Sequence, residues 1–326
     1  MQNKLRKLIR EEIGIHFGVE DLTKIVLERV YLDLLHNIEV EHINDHNFIS
    51  RTIVRDQSVI DSTNIGIVDS EVSYTETNKE RITGNFVPDK TQSNSNGTYR
   101  IFIKLIIETD DIDRVKDKVQ AVIAHELNHA FVHIQKYQHK PKTPILNTSR
   151  RMTSMSIGNI PALREFMQMF YLNLPEEVQA RVQEAGTIVK NSKATDREAL
   201  FIELFNYSFI NDARSMFEYK IDDVMKLDVN TLKNFIAAFN KSIKNSNMND
   251  VDMKIITDPT AFFNYWHKFI VENGKKLNRK IMKVIASKIY KESHDANLNE
   301  DYYYFYACDS GIFQEYFGYI YGEERI

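Results

Sequence analysis

Thirteen residues near the middle of the chain limit what the rest can fold into: Ala121-Val122-Ile123-Ala124-His125-Glu126-Leu127-Asn128-His129-Ala130-Phe131-Val132-His133. Val115, Val119, Ile123, Leu127, Ala130, Phe131 and Ile134 recur at three- and four-residue intervals, and Glu126 is the only charge between Val119 and Ile134. That pattern predicts a helix with a core-facing stripe. Residues four apart stand above one another on a helix, so the imidazoles of His125 and His129 can reach a single ion. Glu126 lies beside that face, where it can take a proton from water without binding the ion itself. The plain alternative is a core helix carrying two hydrogen-bonded histidines.

Two histidines do not complete a catalytic metal site, which needs a third protein ligand and an open position. His133 fails on geometry. Eight residues beyond His125, it is displaced by about 12 Å along a continuous helix, so it reads as a supporting group or as polar surface. Nor does a glycine turn bring a third histidine round, because position 132 is Val and position 135 is Gln. A glutamate from a later helix is the other solution. In Leu174-Pro175-Glu176-Glu177-Val178-Gln179-Ala180-Arg181, Pro175 suits a first helical turn and Ala180 lets a second helix approach closely. Glu177 is the leading candidate. It also fits as a first-turn acid paired with Arg181. Glu203 is the rival, a carboxylate inside Ala199-Leu200-Phe201-Ile202-Glu203-Leu204-Phe205. Glu165 and His139 rank behind both.

The pair formed by His125-Glu126-Leu127-Asn128-His129 and Glu177-x-x-Ala180 resembles the zincin superfamily of metallopeptidases in its glutamate-ligand, gluzincin-like branch. The likeness covers roughly residues 100 to 190, and no family is matched over the whole length. It implies zinc on His125, His129 and Glu177, with Glu126 as the general base in the hydrolysis of peptide bonds by zinc-activated water. It also implies a Tyr, His or Arg stabilising the oxyanion. Tyr207, His267 and Arg181 are chemically able, and the sequence does not choose among them.

Composition narrows the alternatives. In 326 residues, 11 Gly and 6 Pro argue for a helical rather than a loop-rich fold. A formal net charge of -4 leaves no electrostatic footprint for nucleic acid. The single cysteine, Cys308, forms no intrachain disulfide; it reads as a buried thiol and suggests a reducing compartment. No signal peptide, transmembrane helix or membrane partner is expected, and a soluble, cytoplasmic protein is. Asn96-Gly97-Thr98 matches the glycosylation pattern, which such a protein leaves unused.

Residues 4 to 36 read as one or two amphipathic helices broken at Gly18. From about Ile38 to Ile106, short β-branched runs alternate with polar turns and predict strands. Asp89 to Gly97 reads as a surface loop, and Tyr99 to Glu108 as the best strand, whose edge could bind an extended peptide by strand addition. The metal helix should end before Pro141, with a loop from 143 to 156 able to cover the cleft. Helices are expected at Ala162–Leu172, Pro175–Val189, Asp196–Met225, Asn230–Lys244 and Pro259–Tyr290.

The expectation is an α+β fold, predominantly helical, with a small mixed sheet before the His-Glu helix. Residues 1–140 would hold the first helices, the sheet and that helix, and 141–326 a helical half completing the cleft. The leading function is a zinc metallopeptidase acting on a peptide or protein. The alternative is a catalytically silent zincin-like binding or structural protein. Tyr302 to Tyr306 with Phe313, Tyr316, Phe317, Tyr319 and Tyr321 offers such a protein a packing surface for the body or a partner. The start Lys4-Leu5-Arg6-Lys7-Leu8-Ile9-Arg10-Glu11-Glu12-Ile13 and the Asn/Lys/Ile-rich usage are similar to uncharacterised proteins of tailed bacteriophages, which leaves a virion-associated role open.

Overall fold

The alternation of Val68, Val72, Ile101, Ile103, Leu105 and Ile107 with charged residues builds a sheet with one buried and one wet face. A computed structural model describes residues 16–41, 45–137, 160–194, 199–200, 203, 207, 215–216, 219–244 and 255–292. The strands are β1 (Asp45–Ile53), β2 (Ile65–Thr75), β3 (Arg81–Phe86), β4 (Gln92–Ser93) and β5 (Tyr99–Glu108). The helices are α1 (Phe17–Glu41), α2 (Gln57–Thr63), α3 (Lys116–Tyr137), α4 (Pro161–Leu172), α5 (Pro175–Asn191), α6 (Asp222–Met225), α7 (Val229–Lys244) and α8 (Pro259–Glu292). The fold is α+β, predominantly helical with a small mixed sheet.

Sheet order is β1-β2-β5-β3, with β4 also on β5; β2 and β5 are parallel and the other pairs antiparallel. β5 is therefore interior, not an edge, and β3 is the outer strand beside it. The reason is composition: β5 is apolar over most of its length and buries best with neighbours on both sides, whereas Arg81, Thr83 and Asn85 suit an edge. On the buried face, α3 packs against β3 and β5, while α1 packs against α3 and β1.

Three readings of the sequence need correction. Gly18 does not break a helix but sits in the first turn of α1, where an added Cβ would lie 2.2 Å from Ser62 Oγ. It permits the close approach of α2. Ile38 belongs to α1 rather than to a strand, and α2 was not expected; Asp56 caps it, accepting from the Ser58 amide at 2.9 Å. The helix expected over Asp196–Met225 is interrupted at 219–221 before α6. The loop at 143–156, His139, Cys308 and the tyrosine-rich end lie outside the described residues.

The chain divides into two compact units, one of residues 1–138, 179–206 and 280–326, the other of 139–178 and 207–279. The second has its own core, in which Phe166, Phe170, Phe235, Phe239, Phe262, Phe263 and Trp266 meet at ring-centroid distances such as 5.1 Å for Phe166–Phe263 and 5.2 Å for Phe170–Trp266. Among the described residues no helix is long and apolar enough to cross a membrane.

Candidate metal centre

The site is built on α3, buried as its apolar stripe requires, and on α5. From Gln179 onward α5 is tied into the first unit at successive points. Asn191 donates to Gln120 at 2.6 Å, Lys190 pairs with Glu20 at 2.6 Å, and Gln183 accepts from the His16 amide at 2.9 Å. One turn and a half from Gln120, His125 Nδ1 lies 3.2 Å from Glu184 Oε2. Rising numbers on α3 meet falling numbers on α5, so the two helices run antiparallel. Asn191, Glu184 and Glu177 are seven apart, two turns each, and share one stripe of α5.

Continuing that stripe brings Glu177 to the histidines. His125, His129 and Glu177 form a buried group in which each offers one ligand atom, all within 4.8 Å of one another, and which could hold a metal ion. The two imidazoles face through their Nε2 atoms, 3.1 Å apart. Glu177 is fully buried. Two imidazoles and one carboxylate are a donor set that fits a borderline-soft divalent ion such as zinc. The setting fits as well. Glu126, Glu176, Glu177 and Glu184 are all buried, a concentration of carboxylates with which a cation is compatible.

Glu126 stays apart from this group. Its Oε2 accepts a hydrogen bond from the Phe86 amide of β3 at 2.5 Å. Arg181 lies 3.5 Å from Glu184, its neighbour one turn on. Glu203 accepts from the Ser192 hydroxyl and is not in the group; Glu165 is exposed. His133 is half-buried rather than surface, its ring 5.4 Å from that of Phe86, and burial holds its pKa below the ordinary value against the pull of Asp89. In the second unit, His267 Nε2 lies 2.8 Å from the Tyr219 carbonyl.

Sequence reasoning missed Glu184 and Phe86. Glu184 is traceable in the seven-residue stripe of α5, but a main-chain donor leaves no trace in residue identity. No family model, curated protein or solved structure matches the chain.

Proposed function

We propose that this chain is a zinc-dependent metallopeptidase, with His125, His129 and Glu177 holding the ion and Glu126 acting as general base. The observation that carries the reading is the convergence of the three ligand atoms from α3 and α5, with a second carboxylate, that of Glu126 next to His125 in the chain, held separately by the Phe86 amide. When bound, zinc supplies a Lewis acid that makes water acidic near neutral pH and polarises a carbonyl. Glu126 accepts the proton of the attacking water and returns it to the departing amine. Glu184 orients His125 through Nδ1, leaving Nε2 for the ion.

The outer edge of β3 supports a peptide substrate. The Val87 amide donates to Phe102 of β5, so the alternate residues Phe86, Gly84 and Ile82 turn their main-chain groups away from the sheet; the Phe86 amide is taken by Glu126, which leaves Gly84 and Ile82 for a partner strand. An extended peptide can add there as a further strand, a few residues from Glu126. The test is zinc content per chain in wild type, Glu177→Ala and Glu203→Ala, followed by peptidase assays with Glu126→Gln. The reading expects one zinc, lost in Glu177→Ala alone, and turnover lost in Glu126→Gln with zinc kept. A wild-type chain that takes up no zinc sinks it. Zinc without cleavage favours the silent binding protein.

A further inference from the structure

We infer that strand β3 positions the general base: the Phe86 amide tethers Glu126 through Oε2, the bare Cα of Gly84 makes room for it, and Oε1 is the oxygen that carries the proton. The catalytic part of this rests on the peptidase reading above; the tether is a property of the chain itself.

Glu126 follows His125 on a buried helix, so it stands next to one of the three residues that could hold an ion, yet outside their group. Something must keep it off that ion. The Phe86 amide donates to Oε2 at 2.5 Å and so fixes one of the two carboxylate oxygens. That amide points from the free side of β3, so no ladder carbonyl competes for it, while Arg81 to Phe86 pair with Glu108 to Ile103 and hold it rigidly. The Phe86 ring packs on His133, which stands seven residues beyond Glu126 on the same face of α3. Phe86 thus touches the helix at two points two turns apart.

Gly84, two residues earlier on the same buried face of β3, completes the device. A Cβ there would sit 2.6 Å from Val122 Cγ1, 2.7 Å from Glu126 Cγ and 3.1 Å from Glu126 Oε1. The first two are closer than real Cβ atoms come to a neighbour, and the third is tight. A side chain at position 84 must therefore move Glu126, whatever Val122 does. With Oε2 occupied, the proton taken from water forms its bond to Oε1 as the water O–H bond breaks. It leaves Oε1 again when the amine nitrogen departs, so the carboxylate ends as it began.

The experiment uses the full chain as Gly84→Ala, Val122→Ala, the Gly84→Ala/Val122→Ala double variant and Glu126→Gln. In the metal-free protein the Phe86 amide proton resonance should move upfield in Glu126→Gln and in both Gly84 variants, because the charged acceptor is lost or displaced. Removing Val122 relieves one of the clashes, so the double variant should fold and hold one zinc per chain. It should still lose about a hundredfold in kcat, the scale expected for a base misplaced by an ångström. Val122→Ala alone should keep wild-type turnover. A Phe86 resonance that does not respond to Glu126→Gln overturns the tether. Wild-type turnover in the double variant overturns the role of Gly84. Should the double variant not fold, the Glu126→Gln resonance decides alone. If wild type holds zinc and cuts no peptide, the peptidase reading fails while the resonance still decides the tether.

Discussion

Two groups of buried carboxylates in this chain are completed in opposite ways. On the wet face of the sheet, Asp69 is 3% exposed and each of its oxygens receives one guanidinium, Arg51 Nε and Arg100 Nε both at 2.6 Å. The charge is answered by charges of the other sign on neighbouring strands. On α3 and α5 the group is made up differently: two imidazole nitrogens and a carboxylate oxygen, each able to ligate a metal, lie within 4.8 Å of one another. Burial of an acid is common to both and distinguishes nothing. What its neighbours offer separates a structural ion pair from a group that could hold a metal ion.

The sharpest break of that comparison is at the ligands. Glu177→Ala or His129→Ala should abolish stoichiometric metal binding, measured as metal per chain after dialysis, because two donors cannot close the site. Asp69→Asn should leave metal content unchanged. A parallel expectation concerns stability. Zinc added at about a thousand times its dissociation constant should stabilise wild type by about 4 kcal/mol, by binding the folded state alone. Melting curves with and without zinc read this, and an equal rise in Glu177→Ala would mean that the ion sits elsewhere.

A smaller effect tests the layer behind the ligands. Glu184→Gln keeps the volume but weakens the orientation of His125, and zinc affinity should fall about 10- to 100-fold. Competition against a chelator measures it. Glu184→Asp should recover part of the loss if the carboxylate is what matters, and an unchanged affinity in Glu184→Gln would reduce the contact to packing.

How much of this was legible beforehand depends on whether an interaction is local. β5 is bounded by its own residues, since Tyr99 to Glu108 is apolar over most of its length and polar residues flank it. α3 and α7 follow from period, and α4, α5 and α8 also from Pro at their starts. The pairing of His125 with His129 is a property of one helix and needs nothing else. Glu177 could be nominated but not separated from Glu203, because the choice depends on how α5 lies across α3, which is set by Asn191, Lys190 and Gln183 far along the chain. The place of β5 between β2 and β3 is likewise a matter of long-range pairing, and alternation reads a strand's faces but not its neighbours. Gly84 and the Phe86 amide are the least legible, since one acts by lacking a side chain and the other through the backbone.

The smallest expected effect lies in the Asp69 cluster and sharpens the comparison from the structural side. Burial alone would raise the Asp69 pKa, but the hydrogen bonds and charges of Arg51 and Arg100 more than offset it and leave it below its ordinary 3.8. A carboxylate whose pKa is lower folded than unfolded adds stability above the unfolded value, and loses it as the pH falls through the folded one. Asp69→Asn should therefore cost on the order of 1 kcal/mol near neutral pH, kept small because Arg51 is exposed and Arg100 partly so. The difference should shrink as the pH drops below 3.8, where wild type loses its own charge. Denaturant midpoints of the two proteins across pH 2 to 7 follow this. A gap that persists undiminished into acid would mean that Asp69 acts by shape rather than charge, and the contrast with the α3–α5 cluster would lose its electrostatic basis.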